Sequence, residues 1–163
     1  MTVKAPAVAY IGLGANLGDA RATIAAALVE LTRTGGIDSV KASSLYRSAP
    51  VDAEGPDFIN ATAEVTTTLE PLELLDALQA IEAAFGRTRP FQHAPRTLDM
   101  DLLLHGDCVV DSPRLLLPHP RLQQRAFVLL PLLELNPGLL HPQLGPLGAF
   151  LGAVGDQRIE RLA

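Results

Sequence analysis

In Pro95-Arg96-Thr97-Leu98-Asp99-Met100-Asp101-Leu102-Leu103-Leu104-His105-Gly106 the side chains alternate with the period of a pleated strand. Leu98, Met100, Leu102 and Leu104 are expected on one face, and Asp99 and Asp101 on the other. Neighbouring carboxylates repel, so they stand side by side only beneath cations, whether arginines or metal ions. Oxygen-only ligands at this spacing suit magnesium, which takes one or two carboxylates and completes its shell with water and substrate phosphates. Asp99 and Asp101 are therefore candidate metal ligands. Chance often puts two acids on one strand face, and this pair gains its weight from the arginines around it.

Immediately upstream, Arg87-Thr88-Arg89-Pro90-Phe91-Gln92-His93-Ala94-Pro95 has no periodicity and two prolines. A polar loop so placed is the natural lid over a charged ligand. Before it, Pro71 opens a helix with Leu74, Leu78, Ile81 and Phe85 as its buried stripe and Gly86 as its stop, and Gln79 and Glu82 lie just off that stripe. Residues 58–67 alternate again, with Ile59, Ala61, Ala63 and Val65 toward the core and Phe58, Asn60, Thr62 and Glu64 opposite. Phe58 and Asn60 suit stacking on and hydrogen bonding to a planar heterocycle, although an aromatic there is by default a core residue.

Residues 7–13 read as a buried first strand, followed by a turn and a helix whose buried stripe is Ile24, Leu28 and Leu31. Asp19 is its expected N-cap and Gly35-Gly36 its stop. Gly12-x-Gly14 followed by Gly18 resembles a dinucleotide fingerprint, but the last glycine comes one position late and no second unit with an acidic ribose ligand follows. A tight strand-to-helix connection, with backbone groups available to line a ligand, is the better reading. Residues 40–47 read as a second strand and 48–56 as an irregular, proline-bearing loop. Downstream, 108–110 and 115–117 are expected as short strands, 123–135 as an apolar helix interrupted at Pro131, and 147–154 as a short helical pattern.

Length and charge narrow the possibilities. The 163 residues fit a single domain spanning 1–163, with enough chain to bury a core without disulfides. A net charge of −5 argues against nucleic-acid binding, which needs basic surface. No apolar run is long enough for a membrane span, and the N-terminus leads into a strand rather than a secretory signal, so the chain reads as cytoplasmic. The lone Cys108 is expected in the core. Six of the thirteen basic residues lie between Arg87 and Arg125, and all six are arginine: Arg87, Arg89, Arg96, Arg114, Arg121 and Arg125. Arginine's planar fork matches phosphate oxygens, so an acidic protein with this cluster around two aspartates suits a small polyphosphate.

These pieces, in order, resemble the 6-hydroxymethyl-7,8-dihydropterin pyrophosphokinases of folate biosynthesis. The resemblance is carried by residues 10–18, 44–50, 57–61, Ile81-Glu82 with Gly86-Arg87-Thr88-Arg89, Pro95-Arg96-Thr97-Leu98-Asp99-Met100-Asp101, and Pro118-His119-Pro120 through Arg125-Ala126-Phe127. It implies a ferredoxin-like α+β fold, a mostly antiparallel sheet with helices packed on it, and transfer of pyrophosphate from ATP to the pterin's hydroxymethyl group with release of AMP. It implies that Asp99 and Asp101 hold two magnesium ions and that Arg87 and Arg96 engage the phosphates. Gln79, Glu82, Arg89, Leu102, Arg114, His119 and Arg125 would form the ATP site. Ser48, Ala49, Val51, Phe58, Asn60 and Phe127 would form the pterin pocket, Asn60 reading the ring edge and the phenylalanines covering its faces. The partners implied are these two small molecules, with the chain a monomer. Ala15 stands where many members have Ser, and the Gln92-His93 loop is shorter than usual. The rival readings are another magnesium-dependent phosphotransferase and a non-catalytic nucleotide-binding module on the same fold.

Overall fold

Strand β1 (Ala7–Ala15) runs inside the sheet, paired with a strand on each edge, with Ala9, Ile11 and Leu13 buried on one face and Tyr10 on the other. The structure is a computed structural model describing residues 5–49, 56–86 and 98–162. After β1 come α1 (Ala20–Thr32), β2 (Ile37–Ala42), β3 (Tyr46–Ser48), β4 (Phe58–Thr67), α2 (Pro71–Gly86) and β5 (Asp99–His105). The path runs β3-β4-β1-β5, with β2 also pairing β4, and every pairing is antiparallel. With β2 and β3 counted as two halves of one strand, this is a β-α-β-β-α-β unit in the order 4-1-3-2, the ferredoxin-like α+β fold.

Helices α1 and α2 cover one face. Ala27 and Leu31 of α1 and Leu74, Leu78 and Ile81 of α2 pack in one cluster with Ile11, Leu13, Val65, Met100 and Leu102. Truncating one of these fully buried leucines to Ala would cost about 2–5 kcal/mol in lost transfer energy and cavity formation. Asp19 caps α1 as expected, its Oδ1 accepting from the Ala22 amide at 3.1 Å. Gly36 follows with φ 90°, and a Cβ there would lie 2.6 Å from Leu69, so only glycine fits the turn.

The second face is only partly covered. A 3-10 turn (Leu122–Gln124) leads into α3 (Ala126–Leu135), which packs Val128, Leu129 and Leu132 against Tyr10, Leu103 and Leu104. A later 3-10 helix (Leu147–Val154) adds Leu147 and Val154 to this layer. The chain returns to the sheet as β10 (Ile159–Arg161), which pairs β3. Two small hairpins, β6 (Val110–Asp111) with β7 (Leu116–Leu117) and β8 (Leu140–His141) with β9 (Gly145–Pro146), complete the elements. Among the described residues no helix is long and apolar enough to cross a membrane.

Several expectations are corrected. Leu104 does not share the face of Met100 and Leu102, because β5 carries an extra residue against β1: Ile11 pairs Leu102, yet Tyr10 pairs Leu104. Leu103 and Leu104 both join the α3 layer. The predicted second strand is two, since four residue steps from Ala42 to Tyr46 oppose three from Ala63 to Asn60, a bulge in which the Ser43 hydroxyl accepts the Thr62 amide at 2.9 Å. The first strand, read as 7–13, runs on to Ala15, so Gly14 lies within β1 beside Gly12 rather than in a connection. The helix expected over 123–135 begins only at Ala126, after the 3-10 turn, and runs unbroken through Pro131, which is buried together with Leu129 and Leu132. Cys108 is exposed rather than in the core.

Candidate functional site

Where α3 stops short of covering the second face, the sheet forms the floor of a cavity of about 220 Å³. The floor is β1 stripped of side chains. Gly12 pairs Thr62 on one neighbour and Asp101 on the other, and Gly14 pairs Asn60 and Asp99. A Cβ on Gly14 would stand 3.2 Å from Asn60 Oδ1, so the amide lies where a side chain would otherwise be. The alternation of β5 turns Asp99 and Asp101 to this face, as expected, with Asp101 exposed and Asp99 half-buried.

Phe58 and Asn60 border the floor from β4, Ser48 and Ala49 from the end of β3, and Arg125 and Phe127 from the start of α3. Asn60 and Ser48 are both buried, and Asn60 Nδ2 donates to Ser48 Oγ at 2.7 Å. That bond uses one of the two amide hydrogens and orients the rest of the group. The Arg125 guanidinium lies 5.4 Å from the centre of the Phe127 ring, a cation–π contact that holds both at the rim.

A second cavity of about 310 Å³ opens along the free edge of β5 and is bordered by Asp101, Leu102, Arg114 and His119. Asp101 thus borders both cavities. The extra residue in β5 shapes this side, because the Leu103 carbonyl accepts the His119 amide at 3.0 Å and so holds the Pro118-His119-Pro120 segment against the strand. Burial lowers the pKa of His119, the Asp101 charge opposes that shift, and Arg125 and Arg121 add to it. The Arg121 amide donates to His119 Nδ1 at 3.2 Å, which leaves the proton of the neutral ring on Nε2. Arg114 is tethered to α2 by Asp76 at 2.6 Å and by Gln79 Oε1 at 3.1 Å. Glu82 accepts the Met100 amide at 2.9 Å, tying α2 to the start of β5.

Of the residues singled out in the sequence, Asp99, Asp101, Ser48, Ala49, Phe58, Asn60, Arg125 and Phe127 meet in the first cavity, and Asp101, Leu102, Arg114 and His119 in the second. Gln79 and Glu82 reach that region through Arg114 and Met100. Val51, Arg87, Arg89 and Arg96, with the whole expected lid, lie outside the described residues. Sequence reasoning missed Leu103 and Val128 as wall residues; it offered the backbone around Gly12 and Gly14 as a ligand lining but placed it in a turn rather than as a strand floor, for which glycines at every second position of an apolar strand were the available signal. Among the described residues no group of three or more acids, histidines or cysteines could hold a metal ion. Two carboxylates alone fit magnesium that arrives with phosphate oxygens of its own, rather than a resident ion caged by protein.

The model of the 7,8-dihydro-6-hydroxymethylpterin-pyrophosphokinase (HPPK) family matches residues 10–137. A Pseudomonas aeruginosa 2-amino-4-hydroxy-6-hydroxymethyldihydropteridine pyrophosphokinase is 47% identical over 154 residues, covering 94% of this chain and 95% of the relative. Its Haemophilus influenzae counterpart is 37% identical over 155 residues, covering 94% and 97%. Among solved structures, the Plasmodium falciparum HPPK-DHPS with pterin and p-hydroxybenzoate superposes with a TM-score of 0.73 at 16% identity, over 93% of this chain and 44% of that longer one. That likeness bears on the fold.

Proposed function

The chain belongs to the 7,8-dihydro-6-hydroxymethylpterin-pyrophosphokinase family, and on that premise we propose how its two cavities divide the reaction. The chain transfers pyrophosphate from ATP to the hydroxymethyl group of 6-hydroxymethyl-7,8-dihydropterin, releasing AMP, in folate biosynthesis. The first cavity takes the pterin. Phe58 and Phe127 cover its faces, Asn60 reads its edge, and Ser48, Ala49 and Val51 complete the wall. The second takes ATP, with Arg114 and His119 toward the nucleotide, Leu102, Gln79 and Glu82 lining its place along β5 and α2, and Arg89 and Arg125 on the phosphates.

The observation that carries this division is the position of Asp101 on the border of both cavities, with Asp99 two residues away on the same strand face. The hydroxyl oxygen attacks the β-phosphorus as the bond from that phosphorus to the oxygen shared with AMP breaks. AMP departs with that oxygen, and the hydroxyl proton passes to solvent. Such a transfer asks the protein for alignment and charge neutralisation rather than covalent chemistry. Asp99 and Asp101 would hold two magnesium ions, which supply charge neutralisation at the triphosphate and polarisation of the hydroxyl. The glycine floor lets the pterin lie against main chain, Asn60 fixes its rotation, and the ring of His119 offers Nε2–H as a neutral donor. Arg87 and Arg96 add positive charge where negative charge spreads in the transition state. The same reading takes 1–163 as one domain, a cytoplasmic monomer with no nucleic-acid or membrane partner, in keeping with its net charge of −5.

One assay tests it: ATP, magnesium and the hydroxymethyl-dihydropterin, with AMP as the readout. ADP in place of AMP would make the chain a simple kinase. Asp99→Ala is expected to abolish turnover in a protein that still folds, and near-normal magnesium-dependent activity in that variant would remove the metal assignment. Arg96→Ala is expected to lower the rate by ~10²–10⁴, the scale of a lost transition-state charge partner.

A further inference from the structure

The first turn of α3 carries two residues of the pterin cavity, Arg125 and Phe127, yet its N-cap residue, Arg125, supplies no side-chain cap. A residue far along the chain does so instead. Gln157 Oε1 accepts the Ala126 amide at 2.8 Å, and Gln157 Nε2 donates to the Gln124 carbonyl at 2.8 Å. Both ends of one amide are thus spent on the backbone on either side of Arg125, and Phe127 follows directly. Two residues beyond Gln157, Ile159 pairs with Ser48 in the β10–β3 ladder. The segment 157–159 therefore braces both facing walls of the cavity, Ser48 through main chain and Phe127 through the Gln157 clamp. A groove behind the site is bordered jointly by Ser48, Phe127, Gln157 and Ile159, so the brace and the walls are continuous. This segment lies beyond residues 10–137, the part matched by the family model.

We infer that Gln157 is a positioning residue for the pterin, setting the separation of Phe127 from the Ser48 wall without touching either substrate. The inference rests on the assignment of the first cavity to the pterin. ATP, placed along β5 on the other side of Asp101, draws on Leu102, Arg114 and His119, which Gln157 does not contact, and Arg125 is its one described link to the clamp.

The test uses the whole chain with Gln157→Ala and Gln157→Glu, the latter keeping an acceptor for the Ala126 amide. Folding is followed by circular dichroism, and KM for each substrate by AMP formation. Gln157→Ala is expected to raise the pterin KM about tenfold, as a displaced binding wall does, with the ATP KM changed by less than about twofold. Gln157→Glu keeps the acceptor for Ala126 but loses the donor to the Gln124 carbonyl, and is expected to recover part of the loss. An unchanged pterin KM, an equal rise in both KM values, a Glu variant no better than Ala, or an Ala variant that does not fold each overturns the inference. A wild-type chain that forms no AMP would instead refute the proposed reaction. The clamp is then judged by titrating pterin fluorescence with wild type and Gln157→Ala, where equal affinities overturn it.

Discussion

Asn60 and Gly14 face each other across two hydrogen-bonded strands, and the absence of one Cβ makes room for one amide. Gly12 and Gly14 should answer differently to substitution. A Cβ on Gly12 comes no nearer to a neighbour than 3.6 Å, at Leu103, an ordinary contact, whereas on Gly14 it presses Asn60 Oδ1 at 3.2 Å. Neither glycine has a positive φ. Gly12→Ala is expected to keep or raise stability by about 0.4–1 kcal/mol, through the lower entropy of the unfolded chain, while weakening the pterin by filling its floor. Gly14→Ala is expected to weaken the pterin further and to lose about 1–3 kcal/mol by overpacking. Urea unfolding beside pterin titration separates the two, and a Gly12→Ala variant with undiminished pterin affinity would remove the floor from the site.

At the scale of elements, α3 is the movable-looking wall made fixed. Its far end is held by Glu134, which accepts from the Ser44 amide at 2.9 Å, the Ser44 hydroxyl at 3.1 Å and the Tyr46 hydroxyl at 2.7 Å, with Arg161 at 3.6 Å. Burial pushes the Glu134 pKa up, but the donors from Ser44 and Tyr46 and the Arg161 charge outweigh it, leaving the carboxyl below its usual value. Burial, then the bond to Glu134, pushes the Tyr46 hydroxyl up to about 12. A carboxyl so depressed stabilises the fold above its unfolded pKa and loses that contribution as pH falls through the folded value. Glu134→Gln is therefore expected to cost about 1–3 kcal/mol at pH 7, the worth of hydrogen bonds to a charged group, with the difference vanishing in acid. Unfolding curves from pH 7 to pH 3 check this; a constant difference would contradict it. The periodic elements were legible from the chain because each has one apolar face: α2 with its stripe from Leu74 to Phe85, β4 with its alternation, β5 as far as Leu102. The bulge was not legible, since Leu102, Leu103 and Leu104 are interchangeable to any pattern and the choice is made by Tyr10 and the His119 amide. Nor was β10, whose three residues carry two charges and find their place only through β3.

For the molecule as a whole, binding and stability are linked. Each substrate that binds only the folded chain stabilises it by about 2.7 kcal/mol at one hundred times Kd. For a chain of this length that is about 5–10 °C in Tm. On the proposed metal assignment, this rise with a non-hydrolysable ATP analogue requires magnesium and is abolished by EDTA; an equal rise without the metal would argue for the nucleotide-binding module instead. Of the residues bordering the two cavities, Asp99, Asp101, Asn60, Arg114 and Arg125 were legible in the sequence by their distinctive chemistry, while the brace at Gln157 was hidden because it depends on a contact across 31 positions. The bare floor of β1 carries one more implication. Enzymes commonly escape an inhibitor by exchanging a side chain that touches it, and where the contact is main chain there is no side chain to exchange. A compound resting on Gly12 and Gly14 meets a surface that mutation can alter only by adding bulk in the place proposed for the pterin, so resistance there would come at the expense of the enzyme's own turnover.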